Sequence, residues 1–169
     1  MNVSIRNPVL RIGIKTEGAL AMLGHDRVFD QPVSVTVESV DGLAGARVHA
    51  AGDLRQTTIV GSVSEGDREE ILRRKDKDMF ETHKFPQLRF EGSYAATAKA
   101  LEGALTLHGA TQRISLPVTV AERDFGWSVE GELPLDLRPF GIKPFKAMLG
   151  ALRVAPEVRV HVSAEIVRT

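Results

Sequence analysis

The sequence predicts a mainly all-β fold, an antiparallel sheet closed over one common apolar face, and three observations predict it. Apolar and polar residues alternate with period two almost from end to end, the pattern of strands greasy on one side and wet on the other. Helical periodicity surfaces only around 66–80, too little to cover such a face, so the sheet must curl on itself or pack as a sandwich. The chain has 169 residues with no internal repeat, low-complexity tract or linker. That suits one domain over 1–169 with a sizeable core.

Taken in order, Leu10, Ile12 and Ile14 alternate with Arg11, Gly13 and Lys15 as a half-buried strand. The Ala- and Leu-rich stretch from Gly18 to Leu23 predicts a helical turn before Gly24-His25-Asp26. Val33, Val35 and Val37 share a face against Ser34, Thr36 and Glu38, and Asp41-Gly42 marks a turn. A strand follows over Arg47 to Ala51, and β-branched Thr57 to Val63 reads as extended. Ser64 with Asp67 has the form of a capping box, and Ile71, Leu72, Met79 and Phe80 supply a helical face. Arg68, Arg73, Arg74, Lys75 and Lys77 stand among acidic neighbours, which reads as a solvated helix face rather than a phosphate site. Pro86 ends the stretch.

From there the strands are clean. Leu88, Phe90 and Tyr94 share a face with Gly92 between them, and Leu101, Gly103, Leu105 and Leu107 form the next. His108-Gly109-Ala110-Thr111 is a tight connection. Ile114, Leu116, Val118 and Val120 return, followed by Trp127, Val129, Gly131, Leu133 and Leu135. The last strand sets Val158, Val160, Val162, Ala164 and Ile166 against Arg159, His161, Ser163 and Glu165.

Composition excludes several functions. Lysine plus arginine and aspartate plus glutamate stand at 22 each, so no net field attracts nucleic acid or an anionic membrane. The absence of cysteine removes disulfides, thiolate metal sites and cysteine nucleophiles. Of the histidines His25, His49, His83, His108 and His161, none forms a ligand pair at metal-binding spacing, and no metal site is expected. His49 and His161 fall on wet strand faces, and the His108 ring is expected to bond nearby backbone. No serine sits in a nucleophile elbow and no glycine pattern cradles a phosphate. No segment is long and apolar enough to span a bilayer, and Arg6, Asn7 and Pro8 interrupt any signal-like run. The chain therefore reads as cytoplasmic as given, and as periplasmic if it is a processed mature form.

A barrel of about eight strands is either filled by side chains or just wide enough for one small ligand, and alternation leaves both open. The segment from Pro139 to Gly150 carries two prolines, Phe140, Phe145, Met148 and Leu149, so it is no central strand. It reads equally as an apolar flap at a barrel mouth, with Lys143 or Lys146 near a headgroup, and as a plug for one end.

Here the sequence resembles a known family. Gly103-Ala104-Leu105-Thr106-Leu107-His108-Gly109-Ala110-Thr111 closely resembles the Gly-x-Leu-Thr-Leu-His-Gly-Val-Thr hairpin of YceI-like proteins. Lys84-Phe85-Pro86-Gln87-Leu88-Arg89-Phe90 is similar to their Lys-Tyr-Pro-x-Ile-x-Phe lead-in to a strand, and Phe140-Gly141-Ile142 with Glu157-Val158 matches their later segments. The resemblance implies a lipocalin-like antiparallel β-barrel with a short helical excursion around 66–80, enclosing a long apolar cavity. It implies binding, carriage or storage of a polyisoprenoid or isoprenoid quinone type of lipid without catalysis. The lipid is then a non-covalent ligand, with no cofactor, no nucleic acid and no membrane span, and a homodimer is compatible with the sequence.

The residues expected to line the ligand are Phe90, Gly92, Tyr94, Gly103, Leu105, Leu107, Leu116, Trp127, Val129 and Gly131 on the strands. Phe140, Ile142, Phe145, Met148 and Leu149 join them from the flap. The glycines either leave room for a ligand or mark bends. Two other readings stay open. One is an enzyme acting on an apolar small molecule with His25 and Asp26, or Tyr94, as acid–base groups; the other is an interaction module with a filled core.

Overall fold

The structure, a computed structural model, describes residues 2–18, 26–39 and 41–169. In chain order the elements begin with β1 (Val3–Ile14), β2 (Thr16–Glu17), β3 (Arg27–Asp30), β4 (Ser34–Glu38), β5 (Arg47–Asp53) and β6 (Thr58–Ile59). Helix α1 (Glu65–Arg74) follows, then β7 (Gln87–Ala95), β8 (Ala100–Leu107), β9 (Ala110–Arg123) and β10 (Gly126–Asp136). The chain closes with β11 (Lys146–Ala147), β12 (Leu152–Val154) and β13 (Glu157–Arg168).

Ten strands make one sheet in the order β4-β5-β7-β8-β9-β10-β13-β1-β3-β6, while β11, β12 and β2 form a small second one. Every ladder is antiparallel. The large sheet curls until β4 packs back on β1, and the Gln31 amide donates to the Leu10 carbonyl at 2.9 Å. The mainly all-β, strongly curled architecture is the one that the alternation and the lack of helices predict.

Two local devices produce the curl. In β1 the register to β13 shifts between Arg6 and Val9, where Asn7 has φ 52°, a bulge that inserts a residue and bends the strand. The bulge also moves the inward positions from odd to even numbers, Ile5 before it and Leu10, Ile12 and Ile14 after it. This is why strict alternation finds only the second half of β1. At the β7–β8 ladder Gly92 stands directly opposite Gly103. A Cβ on either would collide with the facing strand's backbone, Glu102 O and Glu91 O respectively, so these glycines serve close approach of the backbones. At Gly131 a Cβ would lie 2.6 Å from Pro117 O, the same constraint on β10.

The helix starts as its cap predicts, with the Asp67 amide donating to Ser64 Oγ at 3.2 Å. It continues through a π-helical turn over Lys75–Met79. Thr57 to Val63 pairs with β3 through Thr58 and Ile59 and the Val60 amide, which donates to Val28 O at 2.9 Å, before Gly61 at φ 96° turns the chain away ahead of α1. The turn expected over Gly18 to Leu23 falls almost wholly outside the described residues. His108 and Gly109 have φ 54° and 71° between the paired Leu107 and Ala110, a two-residue hairpin turn of the kind glycine favours.

Solid core is confined to one end. Leu54, Leu105, Leu107, Leu137, Phe140, Ile142 and Val158 form a fully buried cluster, with Met79, Phe80 and Leu88 packed against it. The helix and the loop after β10 thus stop one end of the curled sheet. Replacing Gly103 by valine forces β7 and β8 apart: we expect G103V to lose about 1–3 kcal/mol, as overpacked sites do, measured by urea denaturation.

Candidate functional site

Above the stopper the curled sheet encloses a cavity of about 490 Å³, within the range of about 300–1,000 Å³ typical of small-molecule sites. Its walls follow directly from period two. Along β13, Val158, Val160, Val162, Ala164 and Ile166 all line it; the eight steps between the first and the last, at about 3.4 Å each, give a length near 27 Å. Facing them are Leu105, Leu107, Leu116, Val118 and Val120, with Val35 and Val37 of β4 closing the side. The result is a long, narrow, almost wholly hydrocarbon interior.

The expected lining residues divide. Phe90, Tyr94, Leu105, Leu107, Leu116, Val129 and Phe145 line the cavity. Gly92, Gly103 and Gly131 do not, since facing backbone fills the space above them. Trp127 stands opposite the lining residue Ile166, hence on the inward face, yet does not itself line the cavity. The Arg168 guanidinium lies 4.2 Å from its ring centroid, a cation–π contact. The loop after β10 splits between its two readings. Phe140 and Ile142, 2% and 1% exposed, belong to the plug, whereas Leu149 projects fully into solvent. The Met148 side chain lies outside the described residues.

The acid–base candidates are dispersed. His25 lies outside the described residues, and the exposed Asp26 carboxylate accepts from the Thr16 amide at 3.2 Å, a turn-capping role. His49 and His161 sit outside the sheet near Glu91 and Glu132, at 3.9 and 3.8 Å. Among the described residues no three histidine or acidic side chains converge as metal ligands, and no helix is long and apolar enough to cross a membrane.

The His108 ring bonds backbone as expected, though of a segment distant in sequence, and a carboxylate besides: Nδ1 meets Phe140 O at 2.9 Å and Nε2 meets Glu81 Oε2 at 2.7 Å. A carbonyl can only accept, so the Nδ1–H donates to Phe140 O. The His108 hydrogen bond is the main reason that the Glu81 carboxyl titrates below its usual value, helped by Lys84.

Sequence reasoning missed a polar group at the plugged end. Lys75, assigned above to a solvated face, is buried, and Arg74 also lines the cavity. The signal lay in spacing: Ile71, Lys75 and Met79 recur every four residues, which puts them on one helix face. Arg73 and Lys77 do stay exposed. Gln31 and Thr57, equally buried, line the cavity beside Lys75.

With this geometry in place, a family model described as YceI-like domain matches residues 15–166. No curated protein matches the sequence. Among solved structures, BcnA of Burkholderia cenocepacia superposes with a TM-score of 0.70 at 18% identity, covering 95% of this chain and 96% of that one. The YceI protein of Campylobacter jejuni gives 0.58 at 11% identity, covering 82% of each chain. At such identities these structures share the fold.

The Glu81–His108 contact makes stability depend on acid. A carboxyl held below its usual value adds stability that is complete above the normal glutamate range and fades as pH falls through the lowered one. E81Q should therefore be less stable at neutral pH and should flatten the acid limb of a stability-versus-pH curve. H108A, which leaves Phe140 O unpaired and Glu81 with only Lys84, should cost about 1–3 kcal/mol at pH 7 by the same denaturation measurement.

Proposed function

The chain belongs to the YceI-like family, and on that premise we propose that it binds one long apolar lipid of the polyisoprenoid or isoprenoid quinone type inside the cavity, as a carrier or reservoir without catalysis. The observation that carries this reading is the cavity itself, about 490 Å³ and lined almost throughout by aliphatic and aromatic side chains. Such a wall recognises a ligand by area rather than by directed bonds. Each buried methylene contributes about 0.8 kcal/mol, so one five-carbon isoprene unit gives about 2–4 kcal/mol before ordering costs. A few units suffice for tight binding, and the unbroken run from Val158 to Ile166 offers the length for them.

The competing readings gain less support. A filled interaction module leaves no room for 490 Å³ of interior space. An enzyme using Tyr94 needs an acid or base beside it, and among the described residues its hydroxyl has no side-chain hydrogen-bond partner.

Organic extraction of protein purified from cells, followed by mass spectrometry, should release a single-chain apolar lipid near one equivalent. Repeated recovery of lipid-free protein that also refuses added isoprenoids would overturn the proposal. Val162→Trp, which fills the middle of the cavity, should lower the recovered lipid by about tenfold or more, equivalent to about 1.4 kcal/mol of binding. Its circular dichroism should match the parent.

A further inference from the structure

Apart from hydroxyls such as those of Tyr94 and Ser163, the cavity is hydrocarbon except at its plugged end, where three buried polar side chains meet beside the Leu54 carbonyl. Gln31, Thr57 and Lys75 are 2%, 7% and 8% exposed, and each lines the cavity. Lys75 Nζ donates to Leu54 O at 2.5 Å. Thr57 Oγ1 lies 2.8 Å from the same oxygen and 2.6 Å from Gln31 Oε1. Gln31 Nε2 donates to Pro32 O at 2.9 Å and to Asp53 O at 3.0 Å.

Following the hydrogens shows what this group still lacks. Both amide hydrogens of Gln31 are engaged, and the single hydroxyl hydrogen of Thr57 goes to Gln31 Oε1 or Leu54 O. An ammonium has three hydrogens. Leu54 O takes one; Asp76 Oδ1 stands 2.8 Å away as an ion-pair partner but accepts no hydrogen bond, so among the described residues the other two hydrogens have no acceptor. Arg74 presents a similar surplus. Its Nε bonds Glu70 at 2.6 Å and its guanidinium lies 4.3 Å from the Phe145 ring centroid, while Glu70 is shared with Arg73. Arg27 also lines the cavity. It stands opposite Ile14, which packs against the core cluster at this same end, and no carboxylate pairs with it among the described residues.

At this end the remaining donors are therefore cationic, and no acidic residue lines the cavity among those described. A buried cation with an unmet hydrogen costs free energy that a bound anion returns through charge-assisted hydrogen bonds. Resting on the lipid-binding reading above, we propose that the ligand is a single-chain lipid ending in an anionic, acceptor-only head, a carboxylate or a phosphate. Lys75 holds the head, Arg74 and Arg27 flank it, and the chain runs toward Ile166.

The test titrates lipid-stripped full-length protein with matched pairs: oleate against methyl oleate, and geranylgeranyl phosphate against geranylgeraniol. Binding is read by calorimetry. At least one anion should bind about tenfold or more tighter than its neutral partner, and the pair that shows the preference tells carboxylate from phosphate. In Lys75→Met the preference should collapse to within about twofold while the neutral lipid still binds, since hydrocarbon contacts persist. Should K75M fold poorly, Arg27→Gln supplies the second variant, with the preference reduced at least threefold, about 0.65 kcal/mol. Equal affinities within both pairs would overturn the anionic head and leave lipid binding standing. No binding by any of the four would overturn both.

Discussion

A sheet ten strands wide with one apolar face, and with no second layer among the described residues to cover it, has to cover that face with itself. Everything else in the molecule follows from this constraint. Closing such a sheet fixes a circumference, and the interior width grows with the number of strands. Valine, leucine and isoleucine dominate the inward positions, and they are too short to meet across the middle. The void left there forfeits dispersion contacts, a cost that a sequence selected only for stability would remove with larger side chains. Instead, filling is confined to one end, where Leu137, Phe140 and Ile142 are driven into the core with Met79 and Phe80 packed against them.

That stopper is fastened by a contact among elements outside the sheet's own ladders. Glu81 after the helix, His108 in the hairpin and the Phe140 carbonyl after β10 meet through one imidazole. The Phe85 ring lies against it edge-on, centroids 4.7 Å apart. Gly109 is doubly constrained there, by its positive φ and because a Cβ would press on Phe85 at 2.7 Å. The segments that carry the family resemblance, around Phe85, His108 and Phe140, are far apart in sequence but touch in space. The resemblance therefore reads the stopper more than the barrel, whose walls need only be apolar at alternate positions.

This explains what was legible beforehand. Period two locates β4, β7 to β10 and β13 because those strands keep one parity throughout. It loses the start of β1, where the Asn7 bulge changes parity, and Thr57 to Val63, where β-branched residues occupy a largely unpaired segment. Inward aromatic and aliphatic residues are readable as a set, but whether they bound space or touch one another depends on curvature, which no local pattern encodes. The glycines show the difficulty most clearly. An inward glycine looks like room for a ligand, yet at Gly92 and Gly103 the two backbones have moved into that room. Lys75 was obscured for the opposite reason. Its type announces solvent, while its spacing from Ile71 and Met79 places it inside.

The asymmetry of the interior has a consequence for how any long ligand sits. Contacts with a uniform hydrocarbon wall are non-directional, so a chain in such a wall can slide or reverse at little cost. A polar cluster at one end removes that degeneracy, because only one orientation gives a polar head its partners. Keeping Lys75 there is expensive unless it is well paired, and the fold pairs it with Leu54 O and Asp76. Leu54 in turn is fixed as part of the buried cluster. The stopper that seals the barrel therefore also holds Lys75, the only buried cation of the lining among the described residues, in position, so barrel closure and ligand orientation depend on the same few residues.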